Sequence, residues 1–94
     1  KFPEVKRDLS MVLDANVKYS DIKELALKQD KKLLRDVSIF DVYEGDNIEQ
    51  GKKSYALSFV LRDDESTITD KQIDGVMAKL ESVFAKNLGA VIRR

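Results

Sequence analysis

Alternation of apolar and polar residues is the strongest local signal in this chain. In VKRDLSMVLD, Val5 to Asp14, Leu9, Met11 and Leu13 share one side, and Asp8, Ser10 and Val12 share the other. That is the period of a strand with one dry face. KKLLRDVSIFDVYEG reads as a longer second strand, with Phe40 and Val42 as core positions and Ile39, Asp41 and Tyr43 turned outward. KKSYALSFVLR is a third, with Tyr55, Leu57, Phe59 and Leu61 on one side and Ser54, Ala56, Ser58 and Val60 on the other. Between the last two, EGDNIEQG carries Gly45 and Gly51 at its ends and predicts a hairpin connection.

Two segments change to helical period. YSDIKELALKQ places Ile22, Leu25, Ala26 and Gln29 on one stripe with Leu27 off it, Ser20 as N-cap and Asp21 at the positive end of the helix dipole. In the second, Thr69 and Gln72 form a capping box, and Asp70 adds charge to the first turn. A broad stripe follows through Ile73, Val76, Met77, Leu80, Val83, Phe84 and Leu88, and Gly89 stops the helix. AVIRR is a short last strand. The order β-α-β-β-α-β predicts an α+β, ferredoxin-like sandwich: a four-stranded antiparallel sheet with two helices. Right-handed crossovers put both helices on one face. The opposite face is left without cover, so it must be polar or meet a partner.

Alternation names the residues of that open face: Asp8, Ser10 and Val12 from the first strand, Ser54, Ala56, Ser58 and Val60 from the third, and Asp41 and Tyr43 from the second. Small side chains would form the centre, with a carboxylate and a phenol to one side. A flat aromatic beside short side chains can stack a base for roughly 1–3 kcal/mol. A carboxylate can accept the N1–H and the amino group of an unpaired guanine, the way single-stranded RNA is read. Arg7, Lys52, Lys53 and Arg62 are candidate phosphate cations. Spacing alone also admits, and on its own favours, a plainer role, with Asp41 an edge-strand charge against aggregation and Tyr43 a cover for the sheet. The DDE run, Asp63 to Glu65, sits in a turn before a helix and is better explained by dipole and solubility than by metal binding.

Composition narrows the chemistry. Ninety-four residues suit one domain, spanning 1–94. The chain has 43% hydrophobic and 36% charged residues, so one modest core inside a well-solvated surface is expected. Seventeen basic residues balance 17 acidic ones, which leaves no global field to draw in nucleic acid. Any such binding must be local or rest on a partner domain. The sequence has no cysteine and no histidine, which excludes disulfides, thiolate and imidazole catalysis and the usual zinc sites. No metal site, no cofactor and no catalytic constellation is expected. No apolar run has membrane-spanning length and no signal sequence is visible, so a cytoplasmic protein is expected. A start at Lys1 rather than methionine fits a domain of a longer protein.

FPEVKRDLS (Phe2–Ser10), FDVYEG (Phe40–Gly45), GKKSYAL (Gly51–Leu57), TITDKQI (Thr67–Ile73) and FAKNLGAVIR (Phe84–Arg93) together resemble the ferredoxin-fold anticodon-binding domain that ends the beta subunit of bacterial phenylalanyl-tRNA synthetases. The resemblance covers essentially the whole chain. It implies a domain that grips the anticodon loop of the phenylalanine tRNA, with the first anticodon base, a guanine, on the open sheet face. The family's aspartate and tyrosine match Asp41 and Tyr43, and the position under the base matches Ser10, where some relatives carry alanine. The resemblance further implies an α2β2 parent ligase, whose alpha subunit holds the ATP and phenylalanine site, with magnesium. This domain would contribute affinity and tRNA identity, not chemistry, and would not meet membrane or DNA. An amino-acid-sensing regulatory module shares the element order and is the main alternative. An RNA-recognition motif would carry outward aromatics where this third strand has Ser54, Ala56, Ser58 and Val60, and a purely structural module is the remaining rival.

Overall fold

The computed structural model describes residues 2–94; Lys1, which opens the single-domain span, lies outside the described residues. Its elements are β1 (Val5–Asp14), α1 (Tyr19–Leu27), β2 (Leu34–Tyr43), β3 (Lys52–Leu61), α2 (Asp70–Leu88) and β4 (Val91–Arg93). The four strands make one antiparallel sheet in the order β2-β3-β1-β4. This is the expected ferredoxin-like plan. No described helix is long and apolar enough to cross a membrane.

Directly opposed residues of an antiparallel pair project to the same side, so the register sorts the two faces. Leu9 faces Leu57 and Met11 faces Tyr55 across β1 and β3. These side chains join Ile22 and Ala26 of α1 and Ile73, Val76, Leu80 and Phe84 of α2 in one buried core. Both helices therefore cover the same face. The Phe59 and Phe84 rings stack at 6.3 Å between centroids and tie β3 to α2. Burying each such large apolar side chain contributes about 1.5–3 kcal/mol.

The helix ends differ in how they are closed. At α2, Thr69 Oγ1 accepts the Gln72 N–H at 3.1 Å, while the Gln72 side chain accepts the Thr69 N–H at 2.9 Å. Gly89 ends the helix at φ 63°, a left-handed conformation that glycine adopts without a Cβ clash. At α1 the expected Ser20 cap is not made. The helix begins two residues earlier, its N-cap is Lys18 without a side-chain bond, and Ser20 lies inside the first turn. The start of α1 is instead tied to β2, the Tyr19 hydroxyl donating to the Val37 carbonyl at 2.6 Å. Leu27, off the expected stripe, still packs partly buried against the core.

Strand β2 departs most from simple alternation. Its register against β3 shifts between Leu34 and Asp36, and again between Ile39 and Asp41. Val37 and Ile39 oppose the buried Phe59 and Leu57, so Ile39 faces the core, not outward as expected. Phe40 is the extra residue of the second irregularity and has no partner in β3. It is 60% exposed, so its expected place in the core is corrected. Beyond it Val42 opposes Tyr55 and faces the helix side as expected, yet it is 48% exposed. From Phe40 to Gly51 only Ile48 is even partly buried, because this end of the hairpin runs beyond the helices.

The turn before α2 hangs on Asp63, which is only 2% exposed. Its carboxylate accepts the Glu65 N–H at 2.9 Å, the Ser66 hydroxyl at 3.3 Å and the Gln72 side-chain amide at 3.3 Å. Led by the Glu65 N–H, these donors favour the anion and hold Asp63 below its ordinary value of 3.8, with burial opposing them. A depressed carboxylate contributes stability above its ordinary value and loses it as pH falls through the folded one. Asp63→Asn is therefore expected to lower the melting temperature at pH 7. The gap from the parent protein should close as pH drops below 3.8, where the parent's carboxylate protonates too. Thermal denaturation across a pH series checks both.

Candidate nucleic-acid interface

The bulge at Phe40 decides what the uncovered face presents. Counting by twos from Val37 would carry Asp41 and Tyr43 to the helix side. One extra residue reverses the phase, as β-bulges do, and Asp41 and Tyr43 emerge opposite Ala56 and Ser54. Two complete rows then cross the sheet. One reads Asp41, Ala56, Ser10, Arg93, and the next Tyr43, Ser54, Val12, Val91.

The centre of this surface is shallow because Ala56, Ser10 and Ser54 are small. Ser58 lies one step farther along, opposite Ser38 and Asp8, beside the rows and not within them. Asp41 and Tyr43 form the β2 rim and are both exposed. The Tyr43 side chain lies against Gly45: a Cβ there would fall 2.5 Å from the phenol oxygen and 2.8 Å from the adjoining ring carbon. Glycine at that position therefore lets the ring lie back along the strand end.

Arg93 forms the opposite rim and is the residue that sequence reasoning missed. β4 is only three residues long, too short to show a period, but its register with Ser10 puts Arg93 on the open side. Its guanidinium donates to Ser54 Oγ at 3.2 Å. Ser54, expected on this face, is 6% exposed there. A carboxylate and a guanidinium thus terminate one row, about 14 Å apart at three strand spacings. An acceptor, small floor residues and a cation in one row, with a ring beside the acceptor in the next, can take a planar base by its edge and face, with the attached phosphate chain toward the cation.

The other expected cations are dispersed. Lys52 is on the open side, but Asp14 accepts its ammonium at 2.9 Å and, through that hydrogen bond first, raises it above its ordinary 10.5. Lys53 projects to the helix side, its ammonium 4.8 Å from the Tyr55 ring centroid. Arg7 opposes Phe59 and also leaves the sheet on the helix side. Arg62 pairs with Asp64 and Glu4. Among the described residues no cluster of three acidic residues could hold a metal ion; the DDE run is divided between the Asp63 turn and the Asp64 pairs with Arg35 and Arg62.

Comparison with known proteins converges on one family. The family model described as ferredoxin-fold anticodon binding domain matches residues 1–93. The phenylalanine–tRNA ligase beta subunit of Porphyromonas gingivalis is 55% identical over 93 residues, 99% of this chain and 11% of that protein. That of Bacteroides fragilis is 53% identical over the same length and shares. That of Geobacillus kaustophilus is 41% identical over 99% of this chain and 12% of its own. The chain thus spans about a ninth of the length of the first of these relatives.

Gly45→Ala tests how Tyr43 is seated. The added methyl must displace the ring, while Gly45 is exposed and not in a left-handed conformation, so the backbone tolerates it. The expected result is a shift of the Tyr43 ring resonances, with the unfolding free energy within about 0.5 kcal/mol of the parent's.

Proposed function

We propose, on the premise that this chain belongs to the ferredoxin-fold anticodon-binding domain family, that it is the tRNA-recognition domain of a phenylalanine–tRNA ligase beta subunit. In this reading the open sheet face takes the first anticodon base, a guanine, of the phenylalanine tRNA. The observation that carries it is the pair Asp41 and Tyr43, turned together onto an uncovered face beside small residues by the bulge at Phe40. Family membership favours RNA over the amino-acid-sensing and structural alternatives.

The recognition chemistry follows from the groups present. Asp41 accepts the guanine N1–H and amino hydrogens in one plane. Adenine would direct its own N1 acceptor at the carboxylate and be repelled, and a pyrimidine would offer it only one of guanine's two adjacent donors. Tyr43 stacks the base, and Ser10, Ala56 and Ser54 leave room for it. Lys52 serves the RNA backbone only by giving up Asp14. With 17 charges of each sign the domain exerts little long-range pull, so the intact ligase must supply most of the grip. The proposed partners are this tRNA and an alpha subunit in an α2β2 tetramer, where ATP and magnesium serve the reaction; the proposed location is the cytoplasm. The domain itself is not assigned a catalytic role.

A bidentate edge contact is worth about 1–3 kcal/mol. In the intact ligase, Asp41→Ala is expected to lower kcat/KM for the phenylalanine tRNA by about 5- to 150-fold. ATP–pyrophosphate exchange without tRNA should be unchanged. Tyr43→Ala is expected to weaken tRNA binding by about 1–3 kcal/mol without lowering the melting temperature. Equal charging by the parent and Asp41→Ala enzymes would reject the role of Asp41.

A further inference from the structure

The shallow face does not end at β4. Because β4 pairs only with Ser10–Val12, the edge of β1 from Val5 to Leu9 has no strand beside it. A cleft of about 470 Å³ opens there between the β1 edge, α2 and the end of the chain. Arg7 enters it from the helix side of the sheet and Arg93 from the open side. Of the five arginines, Arg35, Arg62 and Arg94 have carboxylate partners. Among the described residues Arg7 and Arg93 have none. Both arginines therefore line one cleft from opposite faces of the sheet, the Arg7 guanidinium donating to the Lys6 carbonyl at 2.9 Å and that of Arg93 to Ser54 Oγ at 3.2 Å, and the cleft is contiguous with the platform through Ser10 and Arg93.

We propose that this cleft is a second nucleotide subsite, in which Arg7, joined by Arg93 as it exchanges Ser54 for the ligand, holds a backbone phosphate of the RNA whose neighbouring base is read at Asp41 and Tyr43. The proposal rests on the platform reading and adds the path of the chain: across the strands, from the β2 rim over Ala56 and Ser10, and around the β1 edge. Two guanidinium groups without acidic partners are suited to a phosphate, which they can grip by paired N–H donors. Asp8 and Asp74 also line the cleft, while Glu81 is held by Arg94 at 2.6 Å. Mixed charge suits a nucleotide, which brings an anion and N–H donors together, better than a bare polyanion. The volume falls in the range of small-ligand clefts, about 300–1,000 Å³.

The test uses the intact ligase and phenylalanine tRNA transcripts carrying guanine or adenine at the first anticodon position, with Kd measured over a salt series. Arg7→Gln is expected to weaken both transcripts by the same factor and to reduce the slope of log K against log salt by about 0.7, the share of one phosphate on single-stranded RNA. The guanine-to-adenine ratio should stay at the parent value, and Arg7→Lys should recover most of the slope. Asp41→Ala should do the reverse, collapsing the ratio and leaving the slope. A parent-like slope and affinity in Arg7→Gln would overturn the cleft proposal, and so would a changed base ratio at parent slope. If Asp41→Ala keeps the base ratio, the platform reading fails, whatever Arg7→Gln does.

Discussion

One unpaired residue in β2 governs the candidate surface. A strand whose side chains alternate strictly cannot put Val37 and Ile39 into the core and then, in the same phase, Asp41 and Tyr43 outside it. The bulge at Phe40 breaks the phase at the point where helical cover ends. Before it, the strand is a core element opposite Phe59 and Leu57; after it, the strand is a rim. Phe40 remains exposed, and bulges are a common device on edge strands, where they discourage pairing with other chains. Here the same irregularity also turns Asp41 and Tyr43 onto the open face.

The rest of the fold supports that rim without taking part in it. The helix-bearing face holds the core, so the open face is free of packing duty and can carry small and polar residues. The domain's tight points are remote from the surface: the Thr69–Gln72 box, the Asp63 turn and the Phe59–Phe84 stack. Near the platform the backbone is anchored by the Ala15 N–H donating to the Gly51 carbonyl at 2.9 Å, which ties the loop end of the β2–β3 hairpin to the end of β1. This arrangement allows the residues of the open face to vary with little effect on stability.

Much of this was legible in the sequence because periodicity is a strong signal where it is regular. β1, β3 and α2 follow their periods, down to the capping box and Gly89. β2 misled: Asp41 and Tyr43 were expected outward by taking Phe40 and Val42 as core, yet Phe40 is the bulge and Ile39 the core residue. A bulge leaves no compositional mark, and only pairing with a neighbour strand reveals it. Arg93 was missed since a three-residue strand has no period. Arg7 and Lys53 were grouped with the platform on charge, although odd positions in β1 and β3 face the helices, which alternation alone would have shown. Asp63 read as helix-dipole charge because its three donors come from residues as far on as Gln72.

The central claim is that this bare face, after the bulge, seats a guanine. The most direct measurement is the position of the first anticodon base in a structure of the intact ligase bound to phenylalanine tRNA. The account predicts the base over Ala56, its Watson–Crick edge within hydrogen-bond distance of Asp41 and its ring against Tyr43. A base bound on the helix-bearing side, or an anticodon loop that leaves Asp41 and Tyr43 in solvent, would contradict it.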